Sequence, residues 1–174
     1  MLIPILTVLM SGVISGIVTF VLNARRSERD FRREKLETLF TVADKYCKVL
    51  ATTFLDYYRI FKGELNLKEV LELHIKRSEG KESNHEKVEM LISIYFPNIY
   101  SAYQDLMAAR KTVVEITLDY QRSYESGNTD GNKYLEVFDE AMKRLFETSD
   151  TLKKLILVQA QYVNAPLWMF WKKF

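Results

Sequence analysis

The sequence predicts an all-α protein, with an N-terminal transmembrane helix continuing into a cytoplasmic antiparallel bundle of three long helices plus one short helix. Three observations carry that prediction. Met1 to Ala24 hold no charged residue, so all 25 basic and 23 acidic side chains of the 174 residues come after them. Beyond Leu36, apolar residues recur at alternating spacings of four and three, the rhythm of helices packed along a seam. Six glycines and three prolines fall well under the roughly 12% of an average protein, which argues against a sandwich, a barrel or a turn-rich α/β fold. Four regions follow in order: a transmembrane helix 1–24, a basic juxtamembrane segment 25–35, a helical bundle 36–165 and an aromatic, basic tail 166–174. The bundle is long enough for one domain with a modest core and too short for two.

Leu2 to Leu22 is apolar apart from Thr7, Ser11, Ser15 and Thr19, whose hydroxyls can bond to carbonyls of their own helix. A run of about 20 residues matches a ~30 Å hydrocarbon core. A secretory signal would place positive charge before a shorter apolar run, whereas here the basic residues come afterwards. A buried core helix is the soluble alternative, and it rarely needs so long an uncharged run. Thr7, Ser11, Ser15, Thr19 and Asn23 recur every fourth residue beside Gly12 and Gly16. Such a small or polar row lets helix backbones approach in lipid, where association depends on packing and polar contact. Membrane-helix association is therefore assigned to these seven residues. A narrow pore lined by the same row is the alternative, and it lacks the ionisable ring of a selective channel.

Arg25, Arg26, Arg29, Arg32, Arg33 and Lys35 follow at once, interrupted by Glu28, Asp30 and Glu34. Positive residues flanking a span stay on the cytoplasmic side, which places the N-terminus outside and the bundle inside, at the cell inner membrane. The same six side chains are candidates for lipid head-group contact, an attraction of roughly 1 kcal/mol per unpaired charge. Basic and acidic residues nearly balance beyond this arm, so no basic face suggests nucleic acid as a partner.

The bundle helices come from three heptad rows. Leu36, Phe40, Ala43, Cys47, Leu50, Phe54, Tyr57 and Phe61 form the first. Val88, Ile92, Tyr95, Ile99, Ala102, Leu106, Ala109, Val113, Ile116 and Tyr120 form the second, with Pro97 inside it as a kink or a restart. Leu135, Phe138, Met142, Leu145, Ser149, Leu152, Ile156, Gln159 and Val163 form the third. Gly63, Gly80, Gly127 and Gly131 all fall between these rows, where caps and turns want them. Asn66 with Glu69 has capping spacing and marks a short helix near Leu67 to Lys76, and Ser83 with Glu86 marks the start of the second long one. No glycine or proline occurs from Ile17 to Lys62, so the membrane helix is expected to run into the first bundle helix as one rod of ~80 to 90 Å.

Catalytic chemistry is not apparent. Cys47, the single cysteine, holds a core position and reads as a packed thiol. His74 and His85 lack any metal-ligand spacing, and His85 with Glu89, one turn on, reads as a solvated pair. There is no phosphate loop, GxGxxG or GxSxG, so no enzyme, cofactor, metal or small-molecule substrate is inferred.

Trp168, Phe170, Trp171, Lys172, Lys173 and Phe174 form a patch with the composition of a membrane-interface anchor or a binding hot spot. If the three long helices leave the membrane, return and leave again, this patch ends far from the bilayer. It then caps the bundle or docks a partner at the distal end; it reaches the membrane only if the short helix alters the path.

The uncharged span, the RRSERDFRREKLE stretch from Arg25 to Glu37 and the YFPNIY of Tyr95 to Tyr100 resemble small bacterial membrane-anchored helical proteins of unknown function. Some of these belong to mobile elements or phage-defence loci, so the resemblance implies a membrane effector or accessory subunit. The functional expectation is an interaction or scaffold protein that self-associates, as a homo-oligomer, or holds a protein partner at the cytoplasmic face. The alternative is a membrane-perturbing effector that forms a pore or leak.

Overall fold

The computed structural model describes residues 2–78 and 84–164, with side chains over 12–76 and 84–164. The fold is all-α. Helix α1, Leu2–Phe61, is one uninterrupted rod of 60 residues, about 90 Å at 1.5 Å per residue. It is followed by α2 (Leu67–Ser78), α3 (Asn84–Tyr95), a 3-10 helix (Pro97–Ile99), α4 (Tyr100–Glu125) and α5 (Asn132–Asn164).

Local chemistry sets the boundaries. At the end of α1, Gly63 takes φ +73°, and its N–H and that of Glu64 donate to the carbonyls of Ile60 and Arg59. Gly127 repeats the arrangement after α4 at φ +93°, with Gly127 and Asn128 donating to Tyr124 and Ser123. Both are Schellman caps, which satisfy carbonyls a helix end leaves unpaired and need the left-handed conformation glycine adopts freely. Asn66 caps α2 by accepting from the Lys68 N–H at 2.9 Å, as its spacing predicts. Asn84 starts α3 one residue after the expected cap Ser83, which lies outside the described residues.

Chain direction follows from which residues meet. The α2 side chain His74 reaches back to Asp56. In α3, the His85 ring lies 6.3 Å from Tyr46 and Tyr95 lies 5.7 Å from Phe31. Thus α2 and α3 together descend along α1. Helix α4 ascends, with Met107 against Tyr46, Gln121 against Tyr57 and Tyr120 against Phe61. Helix α5 descends again, from Phe138 beside Phe61 to Lys153 beside Asp44. The result is an up-down-up-down four-helix bundle whose second leg is α2 and α3 in series.

This corrects the expected arrangement in one respect. The segment expected as one long helix with a kink or a restart at Pro97 is two helices running in opposite directions. The Tyr103 hydroxyl lies 3.5 Å from the His85 carbonyl, whereas eighteen residues of unbroken helix would hold them ~27 Å apart. Proline disfavours the helical conformation at the residue before it, and Phe96 leaves that conformation at φ −137° and ψ 52°. Pro97 then opens the new turn at a position where its missing N–H costs nothing. The bundle thus has four legs rather than three, and the polypeptide returns at Asn164 to the end where α1 enters.

The second and third heptad rows lie on the core face. Val88, Ile92, Ile99, Leu106 and Val113 are buried from the second row, and Phe138, Leu145, Leu152 and Ile156 from the third. The first row is right except at Phe40, which is exposed, and it omits Leu39, Tyr46 and Ile60, which are buried. Helix α1 packs against both α5 and α3, and two partners require a wider stripe than a single seam.

Candidate membrane and association site

The bundle begins at Phe31, edge-on to Tyr95. Toward its N-terminus α1 continues with no other helix beside it among the described residues. Val13, Ile14, Ile17, Val18, Phe20, Val21 and Leu22 are all exposed, from 40% at Val21 to 74% at Phe20. At about 100° per residue these positions cover an arc of roughly 200°, more than half of the helix circumference. Gly12, Ser15, Gly16, Thr19 and Asn23 are exposed as well, and a Cβ added at Gly12 or Gly16 would meet nothing within 4 Å. Nothing among the described residues requires glycine there. The side chains of Thr7 and Ser11, the other two members of the row, lie outside those described.

Among the described residues, no helix is long and apolar enough to cross a membrane. Of the expected span, side chains are described only from Gly12 to Leu22, about 16 Å of helix, or half a hydrocarbon core. The membrane segment is therefore not part of the fold as described, and it is taken up below as a proposal.

In the basic arm, Arg25, Arg26, Arg32 and Arg33 are exposed while Arg29 and Lys35 are half-buried. Helical neighbours engage most of them. Arg32 meets Glu28 at 3.0 Å, Arg33 meets Glu37 at 2.9 Å, and Arg26 lies 4.0 Å from Asp30. Lys35 meets Glu34 at 3.1 Å and lies over the Phe31 ring. Exposed one-turn pairs of this kind contribute only about 0.3–0.5 kcal/mol, so phosphate oxygens can replace the carboxylates at little cost.

An apolar groove of about 290 Å³ lies above this arm. Leu36 and Phe40 of α1 and Leu157 and Ala160 of α5 line it, together with the charged pair Arg33 and Glu37. The heptad rows did not suggest it, because it forms where Phe40 leaves the core. Higher up, Asp44 ties α1 to α5, accepting from Lys48 at 2.6 Å and Lys153 at 3.0 Å. These two ammonium groups, Lys48 first, hold the Asp44 carboxyl below its ordinary value. The tie is present while the carboxylate is charged and is lost as pH falls through that lowered value.

Two interior polar contacts were not legible from spacing. His74 Nε2 pairs with Asp56 Oδ2 at 3.1 Å, the side chains 19% and 12% exposed. Gln121 Nε2 donates to the Tyr57 hydroxyl at 2.5 Å. Each joins separate helices, so no local motif announces them. His74 and Asp56 dock α2 on α1, with the Tyr57 ring 5.9 Å from His74. Cys47 is buried, and burial pushes its thiol up, away from the thiolate a nucleophile requires. The His85 ring lies 6.3 Å from that of Tyr46. Among the described residues, no group of three or more His, Cys, Asp or Glu is placed to hold a metal ion. Trp168, Phe170, Trp171, Lys172, Lys173 and Phe174 lie outside the described residues.

No protein-family model matches this chain, and neither the curated proteins nor the solved structures contain a match.

Proposed function

We propose that this protein is a membrane-anchored helical interaction module. The apolar start of α1 embeds in the bacterial inner membrane, and the bundle stands at the cytoplasmic face, where it self-associates or holds a partner protein. One observation carries the reading: seven large apolar side chains from Val13 to Leu22 are exposed over more than half the circumference of a helix that projects from the bundle. Burying each is worth roughly 1.5–3 kcal/mol, so leaving all seven in water forfeits on the order of 10 kcal/mol. That rivals the entire stability of an ordinary domain. One partner helix covers a narrower stripe than this arc of roughly 200°, whereas lipid covers all of it, so the breadth of the exposure favours a bilayer. The basic arm sets the orientation, with the bundle on the cytoplasmic side.

Within the bilayer, Gly12 and Gly16 offer the face on which a second α1 packs. Crosslinking in membranes followed by sizing tests this. The wild-type chain is expected to give a dimer or a small oligomer. A Cβ added at either position has nothing within 4 Å, so the bundle is expected to fold normally with Gly12→Ile and Gly16→Ile. The crosslinked species should fall about tenfold, the equivalent of ~1.4 kcal/mol of helix association. A strictly monomeric wild-type protein with no co-isolating partner contradicts the reading.

A further inference from the structure

We infer that the turn joining α3 to α4, from Ser93 to Asn98, rests against the lipid head groups on the bilayer face from which α1 emerges, and so gives the bundle a second membrane contact. The inference rests on the membrane reading above. Its starting point is the reversal at Pro97. Because the chain turns back there, the turn stands at the end of the bundle from which α1 projects, with Tyr95 against Phe31.

Composition separates the two ends of the bundle. From Met90 to Gln104 the sequence has no charged residue, although Ser93, Ile94, Pro97 and Asn98 are exposed. Ile94 is 62% exposed, and Met90, one turn before it, 47%. Helix α5 reaches the same end without a charge from Leu155 to Asn164, and Leu157 and Tyr162 are exposed. The opposite end exposes Lys62, Glu64, Lys68, Asp130 and Lys133. Solvated faces ordinarily carry charge, as that distal end does, so the uncharged end suits a surface other than bulk water. Beside the turn, the α1 arm from Arg25 to Lys35 brings six cations against three carboxylates, the sign that anionic head groups attract. The Phe31 and Tyr95 rings stand between the two, where aromatic side chains favour the boundary of lipid and water.

Reach agrees with composition. The uncharged start of the sequence ends at Ala24, and from there to Phe31 is about 10 Å of helix. Side chains lean toward the N-terminus of their own helix, so the Phe31 ring leans toward the bilayer and the Tyr95 ring away from it. Rings that meet with centroids 5.7 Å apart therefore leave the Tyr95 backbone nearer the lipid than that of Phe31. The head-group layer extends about 5–8 Å from the hydrocarbon. A tilt of ~20°, ordinary for a spanning helix, lowers a neighbour ~10 Å to one side by a further ~3 Å. The turn thus meets head groups without rearrangement of the bundle. A second copy is the competing cover. Copies anchored in one bilayer with the same orientation stand side by side, so each keeps this end toward the lipid. A bundle held only by the projecting helix can swing freely; the second contact turns the flank carrying α3 toward the bilayer.

Nitroxide accessibility in the intact protein tests this. Cys47, the single cysteine, is replaced by Cys47→Ala, and one label is attached through Asn98→Cys at the turn or through Thr129→Cys at the distal end. The protein is reconstituted in vesicles of phosphatidylcholine and phosphatidylglycerol. A water-soluble nickel chelate is expected to relax the label at 98 about threefold less than the label at 129, and dissolved oxygen to relax it more. Ser93→Glu with Ile94→Glu, both at exposed positions, should bring the label at 98 to the accessibility of the label at 129 while the protein stays bound through α1. Equal nickel accessibility at 98 and 129 without the glutamates places the turn in water and overturns the inference. Protection that survives the two glutamates overturns it as well. Protection accompanied by spin–spin broadening between labels, lost on dilution with unlabelled protein, assigns the turn to a second copy and also overturns it. In these three cases the protein still floats with the vesicles, so the membrane reading survives. If the protein does not float, the membrane reading itself fails, and this inference with it.

Discussion

Phe138→Ala is expected to lower the unfolding free energy by about 3–5 kcal/mol, as for other fully buried aromatics. Phe138 has no exposed surface and stands edge-on to Phe61 with ring centroids 4.9 Å apart. Phe61 in turn lies 4.9 Å from Tyr120, edge-on, and 5.7 Å from Tyr134, stacked. These four rings join α1, α4 and α5 at the distal end of the bundle. Rigid helices on three sides leave little freedom to close a ring-sized cavity. For a bundle of this size the loss corresponds to a fall of roughly 10–20 °C in Tm, measurable by circular dichroism in mild detergent. Val137, its neighbour, is 57% exposed, and Val137→Ala should stay within about 0.5 kcal/mol. Equal effects at the two positions would contradict the placement of the ring cluster.

Gly131→Ala is expected to destabilise the bundle by about 1–3 kcal/mol, the usual cost of overpacking. A Cβ there would lie 2.5 Å from Phe61 Cα, 2.7 Å from its carbonyl oxygen and 3.0 Å from its carbonyl carbon. All three are backbone atoms of α1, so no rotamer change relieves the clash. The end of α1 and the start of α5 must move apart, which loosens the same ring cluster. The Gly131 carbonyl also accepts the Tyr134 N–H at 2.9 Å, so the shift disturbs the first turn of α5. Gly16→Ala is the contrast, since nothing lies within 4 Å of its added Cβ and alanine favours a helix. Thermal melts of the two variants should rank Gly16→Ala at or above wild type and Gly131→Ala well below. The reverse order would contradict the close approach of α1 and α5.

These two sites also show what the sequence makes legible. The Phe138 row was visible because an amphipathic helix repeats its buried face at fixed intervals, and Gly63 and Gly127 were visible as caps because their φ values exclude most residues. Gly131 was legible only as a turn residue. Its close approach to Phe61 depends on how two distant helices cross, which spacing does not encode. The reversal at Pro97 escaped for a related reason. Helices α3 and α4 both turn their seams to one core, so the heptad phase passes from Tyr95 to Ile99 unbroken while the direction changes. Periodicity carries phase and not direction. The His74–Asp56 pair and the α1–α5 groove were likewise invisible, being made by residues on different legs. In the candidate site, the shared face of Ser15, Thr19 and Asn23 follows from their four-residue spacing on one helix, whereas the return of Asn164 to the level of Arg33 depends on the number of legs.

The number of legs determines where the two ends of the bundle lie, but the account as a whole depends on what surrounds the start of α1. Flotation of the intact chain with phospholipid vesicles after an alkaline wash measures this most directly. Peripheral proteins are released by that wash, while an inserted helix is retained. The protein is expected to rise with the vesicles before and after washing. Recovery of the full-length chain as a monodisperse species in detergent-free buffer, with none in the floated fraction, would contradict the account.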